Sequence, residues 1–173
     1  SFTQELPLYA DRGSISNTLA ASRYKTLTEN IIGASKFYFK SVTGIDDDAR
    51  LNKRVNLSEK RLRGFEKSKI GPVDSTDHIG GNYAAAANFE VLLPNFLPED
   101  TNTDVSLFLD FGSVWGVDYS ASIDESKKLR SSTGVAASWI SPLGPMTFIL
   151  ATNLSKASTD QTETFNFNLG TSF

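Results

Sequence analysis

The residues able to do chemistry are few and dispersed. His78 is the only histidine, in a polar stretch with Asp74 and Asp77. With no cysteine in the chain, neither a disulfide framework nor a thiolate metal site can form, and one imidazole is too little for zinc. Asp46-Asp47-Asp48 are consecutive, not spaced as a calcium loop requires, and read as a solvated turn. Gly112-Ser113 has no nucleophile elbow around it and no histidine nearby. No glycine-rich phosphate loop occurs. The expectation is therefore no catalytic constellation, no metal and no cofactor. What remains is charge in unusual company. Lys60-Arg61-Leu62-Arg63-Gly64-Phe65 lies in a long polar segment, while Glu90 and Asp110 are single carboxylates inside stretches of small and apolar residues. A guanidinium donates through a planar fork, keeps its charge at any ordinary pH and holds carboxylates firmly. Such groups fix and orient, and they transform no substrate.

The elements that carry these groups are predicted to be strands, because apolar and polar residues alternate with period two. In residues 82–94, Tyr83, Ala85, Ala87, Phe89, Val91 and Leu93 share one face, with Asn82, Ala84, Ala86, Asn88, Glu90 and Leu92 opposite. In residues 103–116, Val105, Leu107, Leu109, Phe111 and Trp115 oppose Asp104, Ser106, Phe108, Asp110 and Gly112. Glu90 and Asp110 thus both fall on the less apolar face. Residues 129–141 set Leu129, Val135, Ala137 and Trp139 against Arg130, Ser132, Gly134 and Ser138. Ser141-Pro142-Leu143-Gly144-Pro145 then turns the chain, and residues 146–155 return with Met146, Phe148 and Leu150 on one face. The final stretch sets Phe165, Phe167, Leu169 and Phe173 against Asn166, Asn168, Gly170 and Ser172. Residues 31–44 and, more weakly, 14–27 read as strands, and residues 1–12 as a loop or a short extra strand. The total is seven or eight strands. Short turns near 28–30, 95–102 and 141–145 alternate with long polar segments at 45–80 and 117–128.

No run approaches the roughly 18 apolar residues of a membrane-crossing helix, but a crossing strand needs only about 9–11. The chain of 173 residues has 39% hydrophobic residues and net charge −3, which suggests no nucleic-acid partner. A soluble β-sandwich alternates in the same way. Two features favour lipid: an apolar face rich in Phe, Leu and Val with Trp115, Trp139 and Phe173 near strand ends, and an opposite face of small polar residues with mid-strand charges, as a wet lumen permits. The expected fold is all-β, an antiparallel transmembrane β-barrel.

One set of segments, taken in order, carries a resemblance. They are Arg63-Gly64-Phe65 followed by Ile70-Gly71-Pro72; Ile79-Gly80-Gly81-Asn82, which opens the next strand; Phe89-Glu90 within it; Leu109-Asp110-Phe111-Gly112-Ser113-Val114-Trp115; Trp139-Ile140-Ser141-Pro142-Leu143-Gly144-Pro145; and the terminal strand ending on Phe173. Over about residues 30–173 the chain resembles the BamA superfamily (bacterial surface antigen superfamily) of outer-membrane barrels, which includes secretion transporters. Residues 1–30 match poorly.

The resemblance implies the C-terminal half of a sixteen-stranded barrel, or about eight strands if the piece closes or dimerises alone. It implies that periplasmic POTRA domains belong to the parent protein and are absent from residues 1–173. The extracellular loop at about 45–80 would fold back into the lumen, with Arg63 meeting Glu90 and Asp110. The terminal strand would serve as the sorting signal and as one side of a weak lateral seam. The implied function is non-enzymatic: folding and inserting β-barrel clients in the bacterial outer membrane. The implied partners are unfolded outer-membrane proteins, outer-membrane lipid and accessory assembly lipoproteins. Alternatives are a polypeptide-secreting transporter of the same superfamily and a passive or structural barrel.

Overall fold

A computed structural model describes residues 1–5, 13–45, 48–94, 96–117, 127–141 and 144–170. Eight strands form one antiparallel sheet: β1 (Phe2–Glu5), β2 (Ser14–Thr28), β3 (Ile31–Gly44), β6 (Tyr83–Leu93), β7 (Thr103–Trp115), β8 (Arg130–Ser141), β9 (Gly144–Ser155) and β10 (Phe165–Leu169). Each pairs with its neighbour in chain order, leaving β1 and β10 as the two edges of an open sheet. The two remaining strands, β4 (Val73–Asp74) and β5 (Asp77–His78), form a small hairpin inside the long connection between β3 and β6. The sheet strands β2, β3 and β6 to β9 run 11 to 15 residues, enough to cross a hydrocarbon layer.

Several expected boundaries move slightly. Residues 1–12 do contain a short strand, β1, and β9 begins at Gly144 rather than Met146. The terminal strand is described from Phe165 to Leu169. Phe173, the turn residues Pro142-Leu143, Asp46-Asp47 and most of the 117–128 connection lie outside the described residues.

Burial settles which face is which. In a soluble sandwich the apolar face would be covered, and here it is bare. Phe89 is 51% exposed, whereas Asp110 on the neighbouring strand is 0% exposed. One ladder row runs Gly33, Val91, Leu107, Val135, Leu150 and Phe165 on the outside. The row that crosses Asp110 runs Lys36, Asn88, Asp110, Ser132 and Asn153 on the inside. A continuous bare apolar wall of this size requires a non-aqueous surrounding. Trp115 and Trp139 both face outward, near opposite ends of the strands, and Tyr83 stacks on Trp115 at 5.8 Å.

The inner face departs from a wet lumen. The β3–β6 connection lies on it and builds a dry cluster in which Leu57, Leu62 and Phe65 of the loop pack against Val42, Ala84, Ala86 and Val114 of the wall. The small inward residues are therefore receptacles for the loop. A side chain at Gly112 would meet Leu57 at 2.8 Å and Leu62 at 3.2 Å.

Candidate functional site

The loop is held to the wall by its arginine. Arg63 donates from Nε to Asp110 Oδ2 at 2.7 Å, from Nη2 to Asp110 Oδ1 at 2.8 Å and from its backbone N–H to Asp110 Oδ2 at 3.1 Å. Its Nη1 donates to Glu90 Oε1 at 2.9 Å. The guanidinium also lies over the Phe108 ring, 3.7 Å from its centroid. Burial works against the charge on Arg63, but the two carboxylates outweigh it and raise its pKa above the ordinary arginine value. The planar fork suits this geometry, since one face serves Asp110 bidentately while the remaining nitrogen reaches Glu90 on the adjacent strand.

The ladder register does the positioning. Asn88 Nδ2 donates to Asp110 Oδ1 at 2.8 Å and to the Arg61 carbonyl at 2.8 Å. Ser132 Oγ donates to the Arg63 carbonyl. Asn153 Nδ2 donates to the Gly64 carbonyl at 2.8 Å. Asn88, Asp110, Ser132 and Asn153 occupy one row across four strands, so Arg63-Gly64 lies along a single line of inward polar groups. Gly64 has φ +85°, and a Cβ there would meet Ala151 Cβ at 3.0 Å. Left-handed backbone and close approach both require glycine. Gly64→Ala is therefore expected to lower stability by about 1–2 kcal/mol, read as a lower urea midpoint for the folded barrel with little change in slope.

The residues singled out in the sequence fall as follows. Arg63, Glu90 and Asp110 come together, and Phe65 is buried in the loop cluster. Arg61 does not compete for the carboxylates, because its guanidinium stacks 3.5 Å above Tyr38. Gly80-Gly81-Asn82 opens β6 and also ties down the loop: Gly81 pairs with Val55, and a side chain on Gly81 would meet the Trp115 carbonyl at 2.4 Å. Phe165, Phe167 and Leu169 all point outward on the edge strand, with Phe167 5.0 Å from Phe148. They make no contact with the arginine cluster.

The sequence by itself points to neither of two further partners of Glu90. Lys36 donates to Glu90 Oε2 at 3.1 Å, and Ser106 Oγ donates to Glu90 Oε1 at 2.9 Å, so Glu90 serves two cations. The larger omission is a second ion pair. Arg130 Nη2 lies 2.9 Å from Asp160 Oδ1 and Arg130 Nε 3.0 Å from Asp160 Oδ2, with both side chains 0% exposed. This pair anchors the connection between β9 and β10, which in turn clamps the long loop through its backbone. Phe65 bridges to Thr162, Glu66 N–H donates to Gln161 at 3.1 Å, Gln161 N–H to Lys69 at 3.0 Å and Glu163 N–H to Gly64 at 3.1 Å. His78 Nε2 lies 3.0 Å from the Thr159 carbonyl. The inward parity of Arg130 was visible in the sequence, but nothing local pointed to Asp160.

Comparison with known proteins gives a consistent result. A family model described as the Omp85 superfamily domain matches residues 2–173, so the likeness begins well before residue 30. A protein of Neorickettsia risticii named outer membrane protein assembly factor BamA is 31% identical over 146 residues, covering 83% of this chain and 19% of that protein. The protein of the same name from Neisseria meningitidis serogroup B is 34% identical over 139 residues, covering 65% of this chain and 17% of that protein. The chain thus spans less than a fifth of either relative. The crystal structure of BamA from Haemophilus ducreyi lacking POTRA domains 1–3 has a similar fold, with a TM-score of 0.79 at 24% identity over 96% of this chain and 36% of that one.

Proposed function

The chain belongs to the Omp85 superfamily, and from that premise we propose that it is the C-terminal part of an outer-membrane barrel that folds and inserts other β-barrels without enzymatic chemistry. The short-turn end of the sheet then faces the periplasm and the loop end the outside. Residues 1–173 contribute wall, loop and terminal strand, while client capture by periplasmic domains and accessory lipoproteins belongs to the parent protein. The clients are unfolded outer-membrane proteins, met at the sheet edge, where free N–H and C=O groups can pair with an incoming strand.

The observation that carries this reading is the anchoring of Arg63 by Asp110 and Glu90, within a chain whose relatives are named as assembly factors. A loop bound to the inner wall beside the terminal strand stiffens the wall, so that opening can concentrate at the sheet edge. The test is reconstitution of the full-length protein in liposomes with an unfolded client barrel. Client folding should be at least about tenfold faster than in protein-free liposomes, a barrier change of about 1.4 kcal/mol. An unchanged rate with open-channel conductance would replace the proposal with a passive barrel, and export of a soluble polypeptide would replace it with a secretion transporter.

A further inference from the structure

The outer wall carries an anomaly. By ladder parity, Arg23 and Lys25 are the only charged residues at outward positions of the described strands from β2 to β10. Both are exposed, and among the described residues neither has a carboxylate partner. No acid shares the outward face of β2, β3, β6 or β7. Glu90 lies in the next row but turns its carboxylate to the opposite face, toward Arg63 and Lys36. Unpaired cations on a lipid-facing wall are costly unless something anionic meets them.

Their depth is informative. Lys25 stands three residues before the end of β2 at Thr28, at the short-turn end of the sheet. Lys25 therefore sits close to the short-turn end of its own strand, and Arg23, one outward position deeper, can extend its stem along the wall toward that end. With a rise of about 3.3 Å per residue the two Cα atoms are about 6.7 Å apart, a spacing at which one phosphate can accept from both cations.

The wall beside them is hollow. Lys25 is paired with Gly33 and Arg23 with Ser35, two small residues; Leu27 folds over Gly33, where a Cβ would meet its Cδ1 at 3.2 Å, and beyond Ser35 rise Phe89 and Leu107. Together Arg23, Lys25, Gly33, Ser35, Phe89 and Leu107 border a groove of about 540 Å³, within the range of ligand-sized sites. Its floor is apolar and its charged rim lies toward the short-turn end of β2.

We infer that this groove binds an anionic phospholipid of the periplasmic leaflet, with the phosphate between Arg23 and Lys25 and one acyl chain laid over Ser35 between Leu27 and Phe89. The inference rests on the outward face meeting lipid, as the barrel reading requires. The site lies on the wall behind Glu90, so a lipid held there would brace the strands that carry the loop anchor.

The test uses the full-length protein in nanodiscs and in detergent. Native mass spectrometry across a titration should show tighter retention of phosphatidylglycerol than of phosphatidylcholine. Arg23→Gln/Lys25→Gln should weaken the phosphatidylglycerol affinity by about tenfold or more, as expected for losing two interfacial cations. A photoactivatable phosphatidylglycerol should label β3 and β6 near Ser35 and Phe89 in the wild type and lose that label in the double variant. Unchanged gel mobility of the folded barrel would certify that the variant folds. Equal affinity of wild type and variant, or labelling spread evenly along the outward face, would overturn the site while leaving the barrel intact. Absence of lipid labelling at every outward residue, including Phe37 and Leu107, would instead overturn the orientation of the wall.

Discussion

Replacing Arg63 by alanine is expected to free the loop of residues 48–81 to added protease and to slow client folding by the full-length protein. The cost falls mainly on Asp110. That carboxylate is 0% exposed and accepts three hydrogen bonds from Arg63. The variant keeps only the backbone donor and the Asn88 amide. A buried charge left without its counter-ion costs about 3–5 kcal/mol, which urea unfolding in liposomes will read directly. Glu90 suffers less, because it retains Lys36 and Ser106. Asp110→Ala should match Arg63→Ala, and the double variant should cost clearly less than the sum, the signature of a shared interaction. Arg63→Lys should recover only part of the loss, since a point charge cannot serve Asp110 bidentately and Glu90 together. If loop protection and client folding both stay at wild-type levels in Arg63→Ala, the anchor is ornamental.

Arg130→Ala is expected to have a comparable effect on stability, about 3–5 kcal/mol, and a more diagnostic effect on the loop. Arg130 and Asp160 bury both charges completely, so removing the cation strands the acid with the Ala157 N–H among its donors. The 156–164 connection should then loosen. Because it is tied by backbone bonds to Gly64, Glu66 and Lys69, residues 48–81 should also become more protease-sensitive. Adding Asp160→Asn to Arg130→Met should restore part of the stability, because the uncompensated charge is gone. Loop protection unaffected by loss of Arg130 would show that the β9–β10 connection merely rests against the loop. Paired measurement with Arg63→Ala tests whether the two ion pairs hold one unit, since coupled restraints give non-additive losses and independent ones add.

Much of the wall was legible in the sequence. Strand side chains have a period of two, so the alternation of Phe89 with Asn88 and Glu90, or of Leu109 and Phe111 with Asp110, assigns faces without knowledge of any partner strand. The strands around Phe37, Phe89, Leu107 and Leu150 follow directly. The arginine anchor was legible only through family likeness, because the separation between Arg63 and its partners carries no local signal. By sequence the small inward residues border water; in the structure they border the loop. An alanine or glycine on a strand looks the same beside either, and only the placement of Leu57 and Leu62 distinguishes them.

Local pattern thus determined the strands, their inner and outer faces, and the sidedness of Glu90 and Asp110, since each depends on chain geometry over a few neighbouring residues. Only the tertiary structure decided the register that sets Asn88, Asp110, Ser132 and Asn153 in one row beneath Arg63-Gly64, the meeting of Arg130 with Asp160, and the hollow beside Arg23 and Lys25. Each of these depends on how separate strands and loops are aligned in space. A shift of one residue in any of those alignments would reverse the faces without altering the alternation that the chain itself displays.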